Sequence, residues 1–236
     1  MADRAGIGLI SAQATVAELV LDDPRRARLL ERLGIDYCCG GKRTLAEACR
    51  RAGLDPSAVA VALAAADLVP PSAEERDWRE VPLDALCAHV VEVHHARLRE
   101  ELPRLSGLLT RVARAHGAED GRLVEVETTF RELRGELETH LEDEEQRLFP
   151  AILSGGAAGD PALVAELEVE HEEAGAALER LRTLTDGFDV DRARCNTHRA
   201  SLDALRELEL DLHRHVHEEN NVLFPRALAA ARGEAA

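Results

Sequence analysis

Two segments of the chain repeat one set of potential ligands: HLEDEEQRLFP from His140 and HVHEENNVLFP from His215. Both read His-x3-Glu-x3-Leu-Phe-Pro. On a helix, residues four apart are separated by only about 40° around the axis, so His140–Glu144 and His215–Glu219 can each face one ion. Imidazole with carboxylate is the donor chemistry of iron, manganese or zinc. A different chemistry is offered by DYCCGG, residues 36–41, where Cys38 and Cys39 adjoin and two glycines follow. Neighbouring α-carbons are about 3.8 Å apart, closer than ordinary disulfides prefer, so the pair reads as two thiols rather than a structural bridge. Gly40 and Gly41 allow unusual backbone conformations and close approach. Such thiols could serve as a soft ligand or redox handle that holds iron, accepts a nitrosyl or persulfide, or touches a partner. Cys49, Cys87 and Cys195 lie on helical stretches and read as packing residues.

Four long segments with helical apolar spacing must position the histidines: Leu83–Ala115, Gly121–Leu153, Pro161–Leu184 and Asp191–Ala231. The inward series, in steps of three and four, is Val91, His95, Leu98, Leu102, Leu105, Leu109, Val112 on the first. On the second it is Leu123, Val126, Phe130, Leu133, Leu137, His140, Glu144, Leu148. The third gives Val164, Leu167, His171, Ala174, Leu178, Leu181, and the fourth Leu205, Leu208, Leu212, His215, Glu219, Val222. His94 adjoins His95, but its later neighbours three and seven along are Arg97 and Glu101, so His95 is the seam residue. His89, His116, His198, His213 and His217 fall off these series and are expected to be solvated or peripheral. Pro103 should kink the first helix.

A lone histidine on an apolar face is usually a hydrogen-bonded core residue. Two buried glutamates are harder to accommodate, because an unpaired carboxylate costs several kcal/mol and no Lys or Arg sits on the seam to pair with it. Four histidines and two glutamates exceed the four ligands of one closed zinc site. They suit two ions, each with two histidines, sharing the carboxylates; the spacing does not choose the metal.

The expected fold is all-α: a small N-terminal helical domain at 1–68, a linker at 69–80 marked by VPPS, and an antiparallel up-down-up-down four-helix bundle at 81–236. TVAE and TLAE fit the capping box, and DPRRARLLERLG and DPSAVAVALAAA each begin with Asp-Pro, which predicts short helices with DYCCGG in a loop between them. The composition agrees, since 3% aromatic residues leave Leu, Val and Ala to build the core. A net charge of −16 argues against nucleic acid as partner. No stretch reaches the length of a membrane span. MADRAGIGLISAQA only superficially imitates a signal peptide, so the expected location is cytoplasmic and the five cysteines are expected to be thiols.

These motifs resemble the hemerythrin-like domain, and the chain as a whole is similar to the repair of iron centres family, the di-iron iron–sulfur cluster repair proteins of the YtfE/ScdA type. DYCCGGKRTLAEA, DWREVPL, HLEDEEQRLFP, EVEHEEAG and HVHEENNVLFPRAL carry the resemblance, which spans nearly the full length. It implies two non-haem irons held by His95, His140, Glu144, His171, His215 and Glu219, bridged by the glutamates and an oxo or hydroxo group. Oxygen-carrying hemerythrins add a histidine where this chain has Gly175, and they place an aspartate five residues after the fourth-helix histidine, whereas Glu219 comes four after His215. Fewer imidazoles should leave exchangeable iron positions.

The resemblance implies a stress-response protein that repairs iron–sulfur clusters damaged by nitrosative or oxidative stress by donating iron, with Cys38 and Cys39 taking part, and not a conventional turnover enzyme. Its partners would be damaged iron–sulfur proteins and nitric oxide or oxygen species, and the chain would act as a monomer or dimer. The alternative is nitric oxide or oxygen binding, sensing or nitric oxide reduction at the same centre. A bundle with a purely structural metal is disfavoured by the open coordination, and a gas binder by the attached thiol domain.

Overall fold

Thr15 and Thr44 each open a helix with a full capping box, the hydroxyl accepting from the backbone N–H of Glu18 or Glu47 and that glutamate reaching back. The two helix starts are also tied together: Val16 N–H donates to the Arg43 carbonyl and Leu45 N–H to the Ala14 carbonyl, both at 2.9 Å. The computed structural model describes residues 10–68, 77–154 and 160–233. The expected signal-like start and the VPPS linker therefore fall largely or wholly outside the described residues. The chain divides into two compact units, Met1–Val81 with Val216–Val222, and Pro82–His215 with Leu223–Ala236.

In the first unit, α1 (Val16–Asp22), α2 (Ala27–Arg32), α3 (Leu45–Ala52) and α4 (Pro56–Ala66) enclose a core of Val16, Leu19, Leu30, Ile35, Tyr37, Leu45, Cys49, Val59 and Leu63. DPRRARLLERLG does not form one helix. Asp23 caps a 3-10 turn at Pro24–Arg26 before α2 begins, and the Arg26 guanidinium is held by Asp67 and the Leu19 carbonyl. α2 ends where Gly34 takes a left-handed φ of 67°, which lets Ile35 N–H reach back to the Leu30 carbonyl.

The second unit is built from long helices. The first comprises α5 (Leu83–His89), a wide π turn at Val90–His95 and α6 (Ala96–His116). The next comprises α7 (Arg122–Asp143), a π turn at Glu144–Leu148 and α8 (Phe149–Leu153). Then come α9 (Pro161–Leu184) and a last run of α10 (Asn196–Glu218), a π turn at Glu219–Leu223 and α11 (Phe224–Ala231), of which Val216–Val222 falls to the first unit. Leu98, Leu102, Leu105 and Leu109 meet Phe130, Leu133 and Leu137, Leu178 and Leu181, and Leu205, Leu208 and Leu212 in one apolar cluster. The fold is all-α, and the isolated Thr15–Thr44 bridge is the only β pairing among the described residues. No helix among those residues is long and apolar enough to cross a membrane.

Three expectations change. The fourth long helix starts at Asn196 rather than Asp191, because Asp189 caps a 3-10 turn at Val190–Arg192 and Ala193 is extended. Cys195 is exposed and accepts from the His198 backbone N–H through Sγ, so it caps this helix rather than packing in the core. On the first long helix the seam passes through Val90, fully buried, instead of Val91. The π turn supplies the reason, since an extra residue in one turn shifts everything N-terminal to it by one position. Pro103 lies inside α6, which runs on unbroken; the departure from α geometry falls at Val90–His95.

Candidate metal centre

The His-x3-Glu-x3-Leu-Phe-Pro repeat has a local structural consequence. Proline at Pro150 or Pro225 has no N–H, and its ring crowds the carbonyl four residues back, at Gln146 or Asn221. A π turn relieves that crowding, and one opens at the glutamate of each repeat, Glu144–Leu148 and Glu219–Leu223. Phe149 N–H accordingly reaches the Glu144 carbonyl five residues back. Each glutamate thus sits at the mouth of a widened turn, one helical turn after its histidine. The third π turn, Val90–His95, ends on His95.

All six seam residues are buried: His95, Glu144 and Glu219 at 0% exposure, His215 at 1%, His171 at 2% and His140 at 4%. They fall into two groups, His95–Glu144–His215–Glu219 and His140–Glu144–His171–Glu219, with ligand atoms in each group within 4.8 Å of one another. Both glutamates belong to both groups. Glu144 Oε2 is 3.2 Å from His95 Nε2 and 3.5 Å from His140 Nε2, so one carboxylate stands between imidazoles of the two groups. His140 Nε2 and His171 Nε2 are 2.9 Å apart. Two imidazoles bound at right angles to one ion, each at about 2.1 Å, would be separated by about 3 Å. The donor set and its spacing therefore fit a pair of cations.

The outer edges of the rings are held as well. His95 Nδ1 meets Glu145 Oε1 at 2.7 Å, and His140 Nδ1 meets Glu170 Oε2 at 2.6 Å. Such partners turn Nε2 inward and set the tautomer that a metal requires. Burial pushes the Glu145 carboxyl up, but hydrogen bonds from Arg99 and His95 outweigh it and hold the group below the ordinary carboxylate range. Burial and the charges of Asp143 and Glu166 raise Glu170. The two phenylalanines of the repeat stack on the remaining faces, Phe149 on His95 and Phe224 on His171, both at 5.8 Å between centroids.

Sequence reasoning missed Glu145 and Glu170. The available signal was a carboxylate adjacent to a seam residue, on Glu144 and His171 respectively, but acidic residues are too common in this chain for adjacency to single them out. Replacing either with glutamine removes the charge that supports the imidazole. We expect a loss of about 10- to 100-fold in metal affinity by chelator competition, with helical content unchanged.

Other histidines depart from expectation. His198 and His217 are buried rather than solvated, at 8% and 7% exposure. Burial lowers the His217 pKa to about 4, against an opposing hydrogen bond with the Tyr37 backbone, so its ring is neutral at pH 7. His94 is buried alongside His95, because the π turn turns both inward. It stacks on His215 at 5.0 Å with only 4° between the rings, lies 3.7 Å from Asp211, and groups with His89 and Glu218.

DYCCGG lies in the loop between α2 and α3, where Asp36, Cys38 and Cys39 form a separate group. Asp36 Oδ1 accepts from Cys38 N–H at 2.9 Å and from its thiol at 3.1 Å, while Oδ2 accepts from Gly40 N–H at 2.7 Å. Cys38 is buried and Cys39 half-buried; the Cys38 thiol donates to Cys39 Sγ at 3.7 Å, and the two form no disulfide. Burial, the neighbouring thiol and Asp36 push the Cys38 thiol well above its ordinary range. Neither glycine uses positive φ, contrary to the expected unusual backbone; both are required by close approach. A Cβ on Gly41 would lie 2.7 Å from the Tyr37 carbonyl, and one on Gly40 2.8 Å from Asp36 Oδ2.

Comparison with known proteins matches the geometry. The hemerythrin HHE cation binding domain matches residues 88–227, and a domain of unknown function (DUF542, ScdA_N) matches residues 12–67. The iron–sulfur cluster repair protein YtfE of Edwardsiella ictaluri is 39% identical over 213 residues, covering 90% of this chain and 96% of that protein. The YtfE proteins of Escherichia coli O157:H7 and Musicola paradisiaca are 38% and 36% identical, covering 91% and 94% of this chain and 96% and 98% of theirs. With the HHE domain over its bundle and this similarity over nine-tenths of its length, the chain belongs to the family of YtfE-type iron–sulfur cluster repair proteins.

Proposed function

We propose that this protein repairs iron–sulfur clusters damaged by nitrosative or oxidative stress, and that it does so by donating iron from a di-iron centre. His95 and His215 would hold one iron and His140 and His171 the other, with Glu144 and Glu219 available to both. The observation that carries this reading is the membership of both buried glutamates in both ligand groups. Bound iron supplies a labile ferrous cation, and here that cation is cargo. The division into a thiol-bearing domain at 1–68 and a bundle at 81–236 suits such a role: the bundle stores, and Cys38 and Cys39 pass iron to the damaged client.

The chain's own residues set how firmly the cation is held. Glu145 and Glu170 are partly exposed, with 26% and 34% of their side-chain surface open, and each touches the Nδ1 of a buried histidine. By accepting Nδ1–H they keep Nε2 free for the cation, and a ligand gives up its cation when a proton takes its place at Nε2. The carboxylates of Glu144 and Glu219, fully buried, are most stable with cations beside them, which favours reloading once iron is available.

The test is a mixture of iron-loaded protein with a cluster-damaged dehydratase. Recovery of dehydratase activity with matching loss of iron from the bundle is the expected result. Consumption of nitric oxide or oxygen without recovery would overturn repair in favour of gas chemistry at the same centre.

A further inference from the structure

We propose that Asp36, Cys38 and Cys39 form a third metal site, a thiolate–carboxylate cradle for one divalent transition-metal cation such as ferrous iron or zinc. As the station for iron in transit, it rests on the donor reading above; as a metal site, it stands on its geometry. The three residues offer ligand atoms within 4.8 Å of one another. The sulfurs of Cys38 and Cys39 are 3.7 Å apart. Two thiolates at about 2.3 Å from a tetrahedral ion are separated by about 3.7 Å, so the pair already has the separation that coordination requires. A carboxylate oxygen on the same ion would lie about 3.5 Å from each sulfur. Asp36 Oδ1 is 3.1 Å from Cys38 Sγ and needs to move outward only slightly.

The cradle is also pre-set. Asp36 is oriented by the backbone N–H groups of Cys38 and Gly40 before any cation arrives. Gly40 has no side chain, and the Arg43 guanidinium and Asp36 Oδ2 both close in on the position that a Cβ would take. Adjacent cysteines rarely bridge one another without distortion, but they can converge on one ion. Thiolate donors select transition metals over magnesium or calcium. Three protein ligands leave a fourth position open, which a transfer site needs and a closed structural site lacks. Cys39, half-buried, is the ligand that solvent and a client can reach, and Cys38 is the inner one. Binding is not a redox step: each thiol gives its proton to water as its sulfur takes the cation, and release takes the protons back.

Cobalt(II) is the probe, added to the reduced full-length protein after its histidine–glutamate centre has been filled with iron. Thiolate-to-cobalt charge transfer reports sulfur ligation alone, so cobalt at imidazole and carboxylate does not contribute. We expect a charge-transfer band that saturates at one cobalt per chain. Asp36→Asn, which keeps one oxygen for one of the two backbone N–H groups and loses the anionic donor, should weaken cobalt by about tenfold or more. Cys39→Ser, near-isosteric and half-buried, should remove about half the band and serves as the second variant if Asp36→Asn misfolds. Absence of the band in the reduced protein overturns the site, as does an unchanged affinity in folded Asp36→Asn. A protein that shows the band yet fails to reactivate a damaged cluster keeps the site and loses the iron-donor reading. Reactivation without the band does the reverse.

Discussion

Glu144→Leu should lose most of the paired iron, and Glu219→Leu should behave alike. Wild-type protein made in iron-replete cells is expected to hold about two irons per chain that are magnetically coupled. Each glutamate belongs to both ligand groups, so one substitution takes a donor from both irons and leaves two cations facing each other with less negative charge between them. Glu138→Leu is the control. That side chain is 48% exposed and pairs with Arg134 across one turn, an interaction worth a few tenths of a kcal/mol. The sign of the stability change separates a metal role from a packing role. In the iron-loaded protein, Glu144→Leu should lower the melting temperature. In the metal-free protein it should be neutral or stabilising, because it removes a fully buried carboxylate from the core. If Glu144 instead serves as a hydrogen-bond partner of the histidines, the metal-free variant would lose about 3–5 kcal/mol. Equal iron content and unchanged coupling in all three variants would falsify the bridging assignment.

Cys38→Ala/Cys39→Ala should keep its iron and its helical content and lose nearly all repair. None of the six seam residues is a cysteine, so the bundle retains its ligands. The loop should hold, because Asp36 still accepts from the backbone N–H groups of residues 38 and 40, and Gly41 still packs under the Tyr37 carbonyl. Truncating one buried thiol costs about 1 kcal/mol. What disappears is every sulfur that could receive a soft cation in that loop. Iron content, helical signal and dehydratase reactivation measured on one preparation check the expectation. Repair at the wild-type rate would make the thiols incidental. Loss of iron would mean that the loop and the bundle share one metal site.

Much of this was legible in the sequence because helices convert spacing into direction. The seam written from steps of three and four, through Leu133, Leu137, His140 and Glu144, or Leu208, Leu212, His215 and Glu219, is buried throughout in the structure. Asp-Pro and the two capping boxes marked helix starts in the N-terminal unit for the same reason, since a cap acts within a few residues of itself. The first long helix shows where such reasoning stops. Its periodicity favoured His95 over His94 and ran through Val91, yet the structure buries both histidines and moves the seam to Val90. A π turn breaks the period on which the reading depends, and no proline announces it there as Pro150 and Pro225 do in the other two.

By itself, then, the sequence determined the all-α class, the four amphipathic helices, the inward histidines and glutamates, and the adjacency of two thiols, because each depends on contacts within a turn or two of chain. Only the tertiary structure decided which histidines share a group, His95 with His215 and His140 with His171, that Glu145 and Glu170 hold the outer edges of His95 and His140, and that Asp36 faces the Cys38 thiol with both of its oxygens already anchored. The grouping and the outer hydrogen bonds join side chains from different helices, and their distances depend on how deeply each helix packs and how far each wide turn rotates it. The Asp36 contact depends on the closed path of its loop. Neither is written in the spacing along a single segment.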